Sequence, residues 1–152
     1  MIWVLTSVFQ NNEGLETIYD GSNETSFKTG GGPAPYPWIH IDLRRRYLIT
    51  KVAVLSGEEH LMNLQVRVGT SQGNLGTTSI YTHGTLCGVY YGPTLVNRQW
   101  VEVDCGLPRG VKGRFLTLQL LDRYMANSPL EIAELEIYGW AKTCTNNDPD
   151  PE

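Results

Sequence analysis

The sequence predicts an all-β protein, and two observations predict it. Several short runs alternate apolar and polar residues with a period of two, as strands with one buried face do. Turn residues (Gly, Pro and Asn) separate these runs, and helical periodicity is almost absent. Short strands joined by turns, with no helices between them, indicate an antiparallel sandwich or barrel.

The strand pattern recurs along the whole chain. In the third run Leu64, Val66 and Val68 alternate with Gln65 and Arg67, which predicts one apolar face and one polar face. The predicted strands are, in order, Trp38–Leu43, Tyr47–Leu55, Leu64–Val68, Trp100–Cys105, Phe115–Leu121 and Ile132–Tyr138.

Size and charge limit the partners. The 152 residues suffice for one domain with its own core, which we assign to residues 1–141, with 142–152 as a polar tail or linker. A net charge of −4 argues against nucleic acid and anionic membranes, which need clustered Lys and Arg. The one basic run, 44–46, is predicted to be a solvated turn. No stretch approaches the roughly 18 apolar residues of a membrane span. Lipid is not an expected partner either, because the net charge is acidic.

Three cysteines are present, and none has the spacing of a zinc or redox motif. A bridge between Cys87 and Cys105 is compatible with the predicted strands, but spacing does not settle it. Cys144 is then left over, which suggests a disulfide to another part of a larger parent chain. Together with the glycosylation sequon at Asn23, these cysteines favour a secreted or cell-surface location.

No catalytic motif is found: the sequence has no nucleophile elbow, metal-binding helix signature or phosphate loop. His40 and Asp42 share one face of a predicted strand, and His40 is expected on the solvent face. Nothing in the sequence brings these residues to a nucleophile, so we expect no enzyme.

Two carboxylates on the last strand, Glu134 and Glu136, allow two interpretations. The alternation alone predicts that both are solvated. The alternative is that Glu134, with apolar neighbours on both sides, binds a cation. A Ca²⁺ ion needs several oxygen ligands, and the Asp20-Gly21 turn in the polar segment 13–32 could supply some of them.

Six segments in a fixed order resemble the F-type lectins, or fucolectins. They begin with the Asp-Gly turn after Tyr19 and end with Gly139 of the last strand, over roughly residues 7 to 140. The matching segments are Tyr19–Gly21, Pro37–Leu43, Tyr47–Val54, Val66–Gly69, Gly113–Leu116 and Ile132–Gly139. The resemblance implies the discoidin-like, coagulation-factor C-domain fold, which is a jelly-roll β-sandwich.

The resemblance also implies a disulfide and a structural calcium ion. Cys87 and Cys105 fall where the family places a disulfide. The carboxylates that match the family's calcium ligands are Asp20 and Glu134. The matching backbone carbonyls are those of Thr17, Ser22, Gly31 and Ala133. The ion would hold the segment 13–32 against the sandwich.

The fucose site of the family does not carry over. The family's histidine falls near Ala34 and its first arginine near Gly57, while a shorter loop removes the second arginine. We therefore expect carbohydrate binding through an altered site, or alternatively a protein-binding adhesion module that has lost sugar binding. The candidate ligand-binding residues lie on the rim loops: Glu58, Glu59, His60, Tyr90, Tyr91, Arg123 and Tyr124. For the tyrosine pair, the alternative to ligand contact is one ring packed under its own loop and one exposed.

Overall fold

The computed structural model describes residues 6–9, 24, 27–28, 38–58, 60–72, 83–106, 109–120 and 130–141. Within these ranges the chain forms strands and no helix, so nothing in them is a helix long and apolar enough to cross a membrane. The strands are β1 (Thr6–Phe9), β2 (Phe27–Lys28), β3 (Trp38–Ser56), β4 (Leu64–Gly69), β5 (Thr85–Tyr90), β6 (Trp100–Asp104), β7 (Val111–Leu120) and β8 (Glu131–Ala141).

The long strand β3 belongs to both layers of the sandwich. Its first half pairs with β1 and β7, and β7 continues to β4 and β5. Its second half lies between β6 and β8, and β8 continues to β2. The sequence predicted two separate strands, Trp38–Leu43 and Tyr47–Leu55. In the structure the basic run 44–46 joins them into one strand. The β3–β7 register breaks between Asp42 and Tyr47, where Arg44 adopts a φ of +70°. Such an irregularity bends a strand, which lets it pass from one layer to the other.

One hydrophobic core lies between the two layers. The inward positions predicted for the first layer, such as Ile39, Leu118 and Val66, are fully buried. Val52 and Ile137 face them from the second layer and belong to the same cluster. The all-β sandwich prediction is confirmed, because the alternating residues of both layers meet in this single core.

The disulfide between Cys87 and Cys105 joins an edge of one layer to an edge of the other. Cys87 lies in β5 and Cys105 directly follows β6, and their Cα atoms are 4.4 Å apart. Gly88 permits this approach, since a Cβ there would lie 3.1 Å from a methyl group of Val103. The pairing implied by the resemblance is confirmed. Cys144 lies outside the described residues.

Two sequence predictions about polar residues are wrong. His40 is 1% exposed, although it lies on the predicted face of β3, away from the core cluster. Its ring stacks on Phe115 and its Nδ1 lies 2.8 Å from the hydroxyl of Thr117, both on the neighbouring β7. In the basic run Arg44 and Arg45 are exposed as expected, but Arg46 is buried. The outer face of this layer is therefore not a solvated face.

Candidate functional site

Two loops at one end of the sandwich run side by side and are joined by backbone hydrogen bonds. They are residues 56–58 and 60–63, which begin at the last residue of β3, and residues 91–99, before β6; we call them the two-loop rim. Four bonds of 3.0 to 3.2 Å connect them, from the N–H groups of Ser56, Asn63, Thr94 and Arg98 to the carbonyls of Gln99, Tyr91, Leu61 and Gly57. Between the last two bonds, Glu58 and His60 lie opposite residues 95–97.

Thr94 fixes the centre of the rim from below. Its hydroxyl is buried and accepts a hydrogen bond from the N–H of Leu61 at 2.9 Å. Its carbonyl lies 2.9 Å from Nδ1 of His60. Because a carbonyl can only accept, Nδ1 of His60 donates this hydrogen bond. The exposed imidazole is therefore held by the backbone of the neighbouring loop.

An apolar pair, Leu95 and Val96, is presented on the rim. These side chains are 82% and 61% exposed. The amide oxygen of Gln99 accepts from the N–H of Leu95 at 2.7 Å and from the N–H of Val96 at 3.4 Å. The backbone under the pair is thus fixed by a side chain, and the two apolar side chains stay outward. A preorganised exposed apolar group is typical of a binding surface.

A buried carboxylate, Glu131, lies beneath the other loop of the rim. Its Oε1 accepts a hydrogen bond from the N–H of Glu58 at 3.2 Å, and the side chain is 7% exposed. A Cβ on Gly57 would lie 2.2 Å from that oxygen, so only glycine leaves room for the carboxylate. The sequence reasoning did not identify Glu131 as a site residue. The nearest signal was the glycine at the position where the resembling family has an arginine.

The two rings of the tyrosine pair have different environments: one is packed and one is exposed, as one of the two interpretations predicted. Tyr90 is half-buried and packs against the core, whereas Tyr91 is 72% exposed. The carbonyl of Tyr91 accepts from the N–H of Asn63, which fixes this residue on the rim. Of the pair, Tyr91 is the ring available to a ligand. The other candidates Glu59, Arg123 and Tyr124 lie outside the described residues.

A β-bulge at Ala133 sets the position of Glu134. Leu55 pairs with Glu134 and Ser56 with Ile132, so Ala133 has no partner residue on β3. The bulge turns Ile132 into the core, although the sequence placed it on the same face as Glu134. Glu134 lies on the outer face and is nevertheless only 8% exposed.

Glu136, two residues further along β8, differs from Glu134. It is half-buried and accepts a hydrogen bond from the hydroxyl of Tyr138, which raises the pKa of that phenol. The other expected calcium ligands, Thr17, Asp20, Ser22 and Gly31, lie outside the described residues. Within the described part of the chain no three His, Cys, Asp or Glu residues are grouped as a metal site.

His40 and Asp42 are bound to structural partners. Arg114 donates to both oxygens of Asp42, at 2.7 and 2.9 Å, and this hydrogen bonding lowers the pKa of Asp42. Burial, and to a lesser degree nearby His83, lower the pKa of His40 to about 4, while Asp42 opposes the shift. The imidazole is neutral and bonded to Thr117, and the carboxylate is paired, so the two do not form an acid–base pair at a reacting group.

The fold is shared with solved lectins and carbohydrate-binding modules. The chain is similar to a fucolectin from the serum of striped bass (Morone saxatilis), with 19% identity and a TM-score of 0.64 over 90% of this chain and 46% of that one. It is also similar to a fucose-binding module of Streptococcus pneumoniae, with 18% identity and a TM-score of 0.59 over 89% and 93% of the two chains. The chain is also similar to a carbohydrate-binding module from a family 31 glycoside hydrolase of Clostridium perfringens, with 17% identity and a TM-score of 0.63 over 90% of this chain and 89% of that one.

At these identities the likeness shows the discoidin-like β-sandwich fold. The chain spans about half the length of the striped bass lectin and most of the length of the two bacterial modules. No protein-family model and no curated protein matches it.

Proposed function

We propose that this chain is a non-enzymatic carbohydrate-binding module of an extracellular protein, and that the two-loop rim is its glycan-binding surface. The observation that carries the proposal is the preorganised pair Leu95 and Val96 beside the exposed polar groups of Glu58 and His60. Sugar sites combine an apolar surface for the C–H face of the ring with polar groups for its hydroxyls. The solved relatives named for glycan or fucose binding share the fold that carries this rim.

Truncating the apolar pair is expected to remove most of the glycan affinity. A double variant, Leu95→Ala with Val96→Ala, loses the apolar surface that would cover one face of a pyranose ring, and its affinity falls by about tenfold or more. The measurement is binding to a glycan array, followed by titration calorimetry with a glycan that binds. Both side chains are largely exposed, so the melting temperature stays close to that of the wild type.

The matched control is Trp140→Ala. Trp140 is also an exposed apolar side chain, but it pairs with Leu48 at the other end of β8 from the rim. The Trp140→Ala variant should bind glycans with the same affinity as the wild type. Equal losses in both variants would show that the rim is not the site. A silent array with an intact fold would instead favour the alternative function, a protein-binding adhesion module of a larger chain.

We also propose that a structural calcium ion binds between the Asp20 turn and the bulge of β8. Glu134, the carboxylate that the family resemblance implies as a calcium ligand, lies on the outer face of β8 and is 8% exposed. The bulge leaves Ala133, whose carbonyl the resemblance implies as a ligand, without a partner residue on β3. A carboxylate and an adjacent carbonyl are the ligand types that Ca²⁺ takes.

Calcium is therefore expected to raise the melting temperature of the metal-free protein. An ion bound only by the folded state, present at a hundredfold excess over its Kd, stabilises a domain of this size by roughly 5 to 10 °C. Glu134→Gln abolishes the shift, whereas Glu136→Gln, two residues along the same strand, retains it. An unchanged melting temperature in the wild type after verified metal removal and calcium addition would contradict the site.

A further inference from the structure

The exposed apolar side chains of the rim are spread along its second loop and do not form one patch. Tyr91 stands at the start of this loop, and the pair Leu95 and Val96 lies near its middle. Trp100, the first residue of β6, directly follows the loop and is 43% exposed. We call these four residues the apolar row. The row offers three separate apolar positions, at residue 91, at residues 95–96 and at residue 100.

The apolar row crosses the end of the sandwich from one layer to the other. Tyr91 directly follows β5, which belongs to the first layer, and Trp100 begins β6, which belongs to the second. Packed sheets lie about 10 Å apart. The aliphatic pair lies in the loop between these two ends. A single pyranose ring is shorter than this crossing, so it covers one position, whereas a chain of linked sugars can cover all three.

Trp100 is fixed at the second-layer end of the row. Val101 and Val103 of the same strand lie in the core, so the side chain of Trp100 lies on the outer face of its layer. It pairs with Leu55 of β3, which is 2% exposed although it lies on the same face. Cross-strand neighbours have Cβ atoms about 5 Å apart. The indole therefore stands beside a buried side chain, while its own surface remains open to a ligand.

Polar side chains lie between the apolar positions. Asn97 is exposed between the aliphatic pair and Trp100, and Glu58 and His60 are exposed on the first loop of the rim. Their amide, carboxylate and imidazole groups together offer hydrogen-bond donors and acceptors. Linked sugars present the same alternation, because each ring has an apolar C–H face and carries hydroxyl groups at its edge. The rim therefore matches a chain of sugars along its length.

We propose that the two-loop rim binds an extended oligosaccharide rather than a single terminal sugar, with Tyr91 and Trp100 as its outer subsites. This inference rests on the proposed glycan-binding function. The pair Leu95 and Val96 forms the central subsite, which a single sugar can occupy alone. Each aromatic ring adds contact area only for a ligand long enough to reach it, so the affinity increases with the length of the sugar chain.

The test uses an oligosaccharide that the wild type binds on a glycan array, together with its trisaccharide, disaccharide and monosaccharide fragments. Affinities are measured by calorimetry, or for weak fragments by competition. The wild type is expected to bind the trisaccharide at least about tenfold more tightly than the monosaccharide. Trp100→Ala and Tyr91→Ala each remove most of this gain and leave the monosaccharide affinity unchanged. Tyr91→Phe keeps the ring and the gain, which separates stacking from hydrogen bonding by the hydroxyl.

The matched control is Trp140→Ala, which removes an exposed indole at the other end of β8 from the rim and retains the full gain. Melting temperatures report whether each variant is folded. Tyr91 is 72% exposed and its backbone carbonyl makes the bond to the first loop, so Tyr91→Ala keeps the fold. This variant tests the row even where the loss of Trp100 lowers the melting temperature.

The outcomes separate the chain-length inference from the function. Equal affinities of the wild type for the monosaccharide and the trisaccharide would overturn the inference while leaving the glycan-binding function in place. Equal losses of monosaccharide and trisaccharide affinity in Tyr91→Ala and Trp100→Ala would overturn their assignment as outer subsites. Absence of binding to any glycan by the folded wild type would overturn the glycan-binding function and the inference with it.

Discussion

Breaking the disulfide between Cys87 and Cys105 is expected to lower the free energy of unfolding by about 3 kcal/mol, because closing a loop of this length restricts the unfolded chain by that amount. The two cysteines are 18 residues apart in sequence and enclose the second loop of the rim, residues 91–99. Strand β5 is an edge strand that pairs with β4, so the bridge is also its link to the second layer. Loss of the bridge should therefore loosen the rim.

The measurement is urea unfolding of Cys87→Ala, Cys105→Ala and the double variant. Each single change already breaks the bridge, so the double variant should lose little more than either single variant. Hydrogen exchange should show that β5 opens more readily in all three variants. A loss well below 1 kcal/mol, or additive losses, would contradict this role of the bridge.

Acid is expected to destabilise the protein through His40. The folded pKa of about 4 lies below the ordinary value of 6.5, because the ring is buried and Nε2 has no hydrogen-bond partner within the described structure. The unfolded chain therefore takes up the proton first as the pH falls. The stability that His40 contributes is complete above pH 6.5 and is lost between pH 6.5 and pH 4. The loss amounts to about 3 kcal/mol.

The pH dependence can be assigned to His40 by substitution. His40→Asn keeps a polar atom for Thr117 but cannot titrate. Its free energy of unfolding at neutral pH is therefore lower than that of the wild type, and this free energy changes little between pH 7 and pH 4.5. Asp42 does not contribute in this window, since Arg114 holds its pKa below the ordinary value of 3.8. If His40→Asn kept the full acid loss, the assignment would be wrong.

The sequence predicted the core strands well because their alternation reports burial directly. Ile39, Val66 and Leu118 alternate with polar residues, and all three lie in the core. Strand β5 was missed because it lies at an edge: its residues are half-buried or exposed, and Gly88 interrupts the pattern. The face of His40 was correct, but periodicity does not report whether a second layer of residues covers that face.

The candidate site was less predictable, because contacts distant in sequence build it. The loop with Glu58 and His60 was selected, and Tyr91 was among the candidates. The exposed pair Leu95 and Val96 was not selected as a candidate, because two aliphatic residues in a row resemble a core segment. Glu131 is brought under Gly57 by the β3–β8 register. The bulge at Ala133 shifts that register, and no residue type in the sequence predicts this bulge.

The most direct test of the account is an NMR titration of the ¹⁵N-labelled protein with a glycan selected from the array. We predict that the largest chemical-shift changes occur at the amides of Glu58, His60, Leu95, Val96 and Asn97, with the amides of the opposite end of β8, near Trp140, unchanged. Shifts that cluster away from residues 56–63 and 91–99, or no shifts at all with any array glycan, would contradict the claim that the two-loop rim binds carbohydrate.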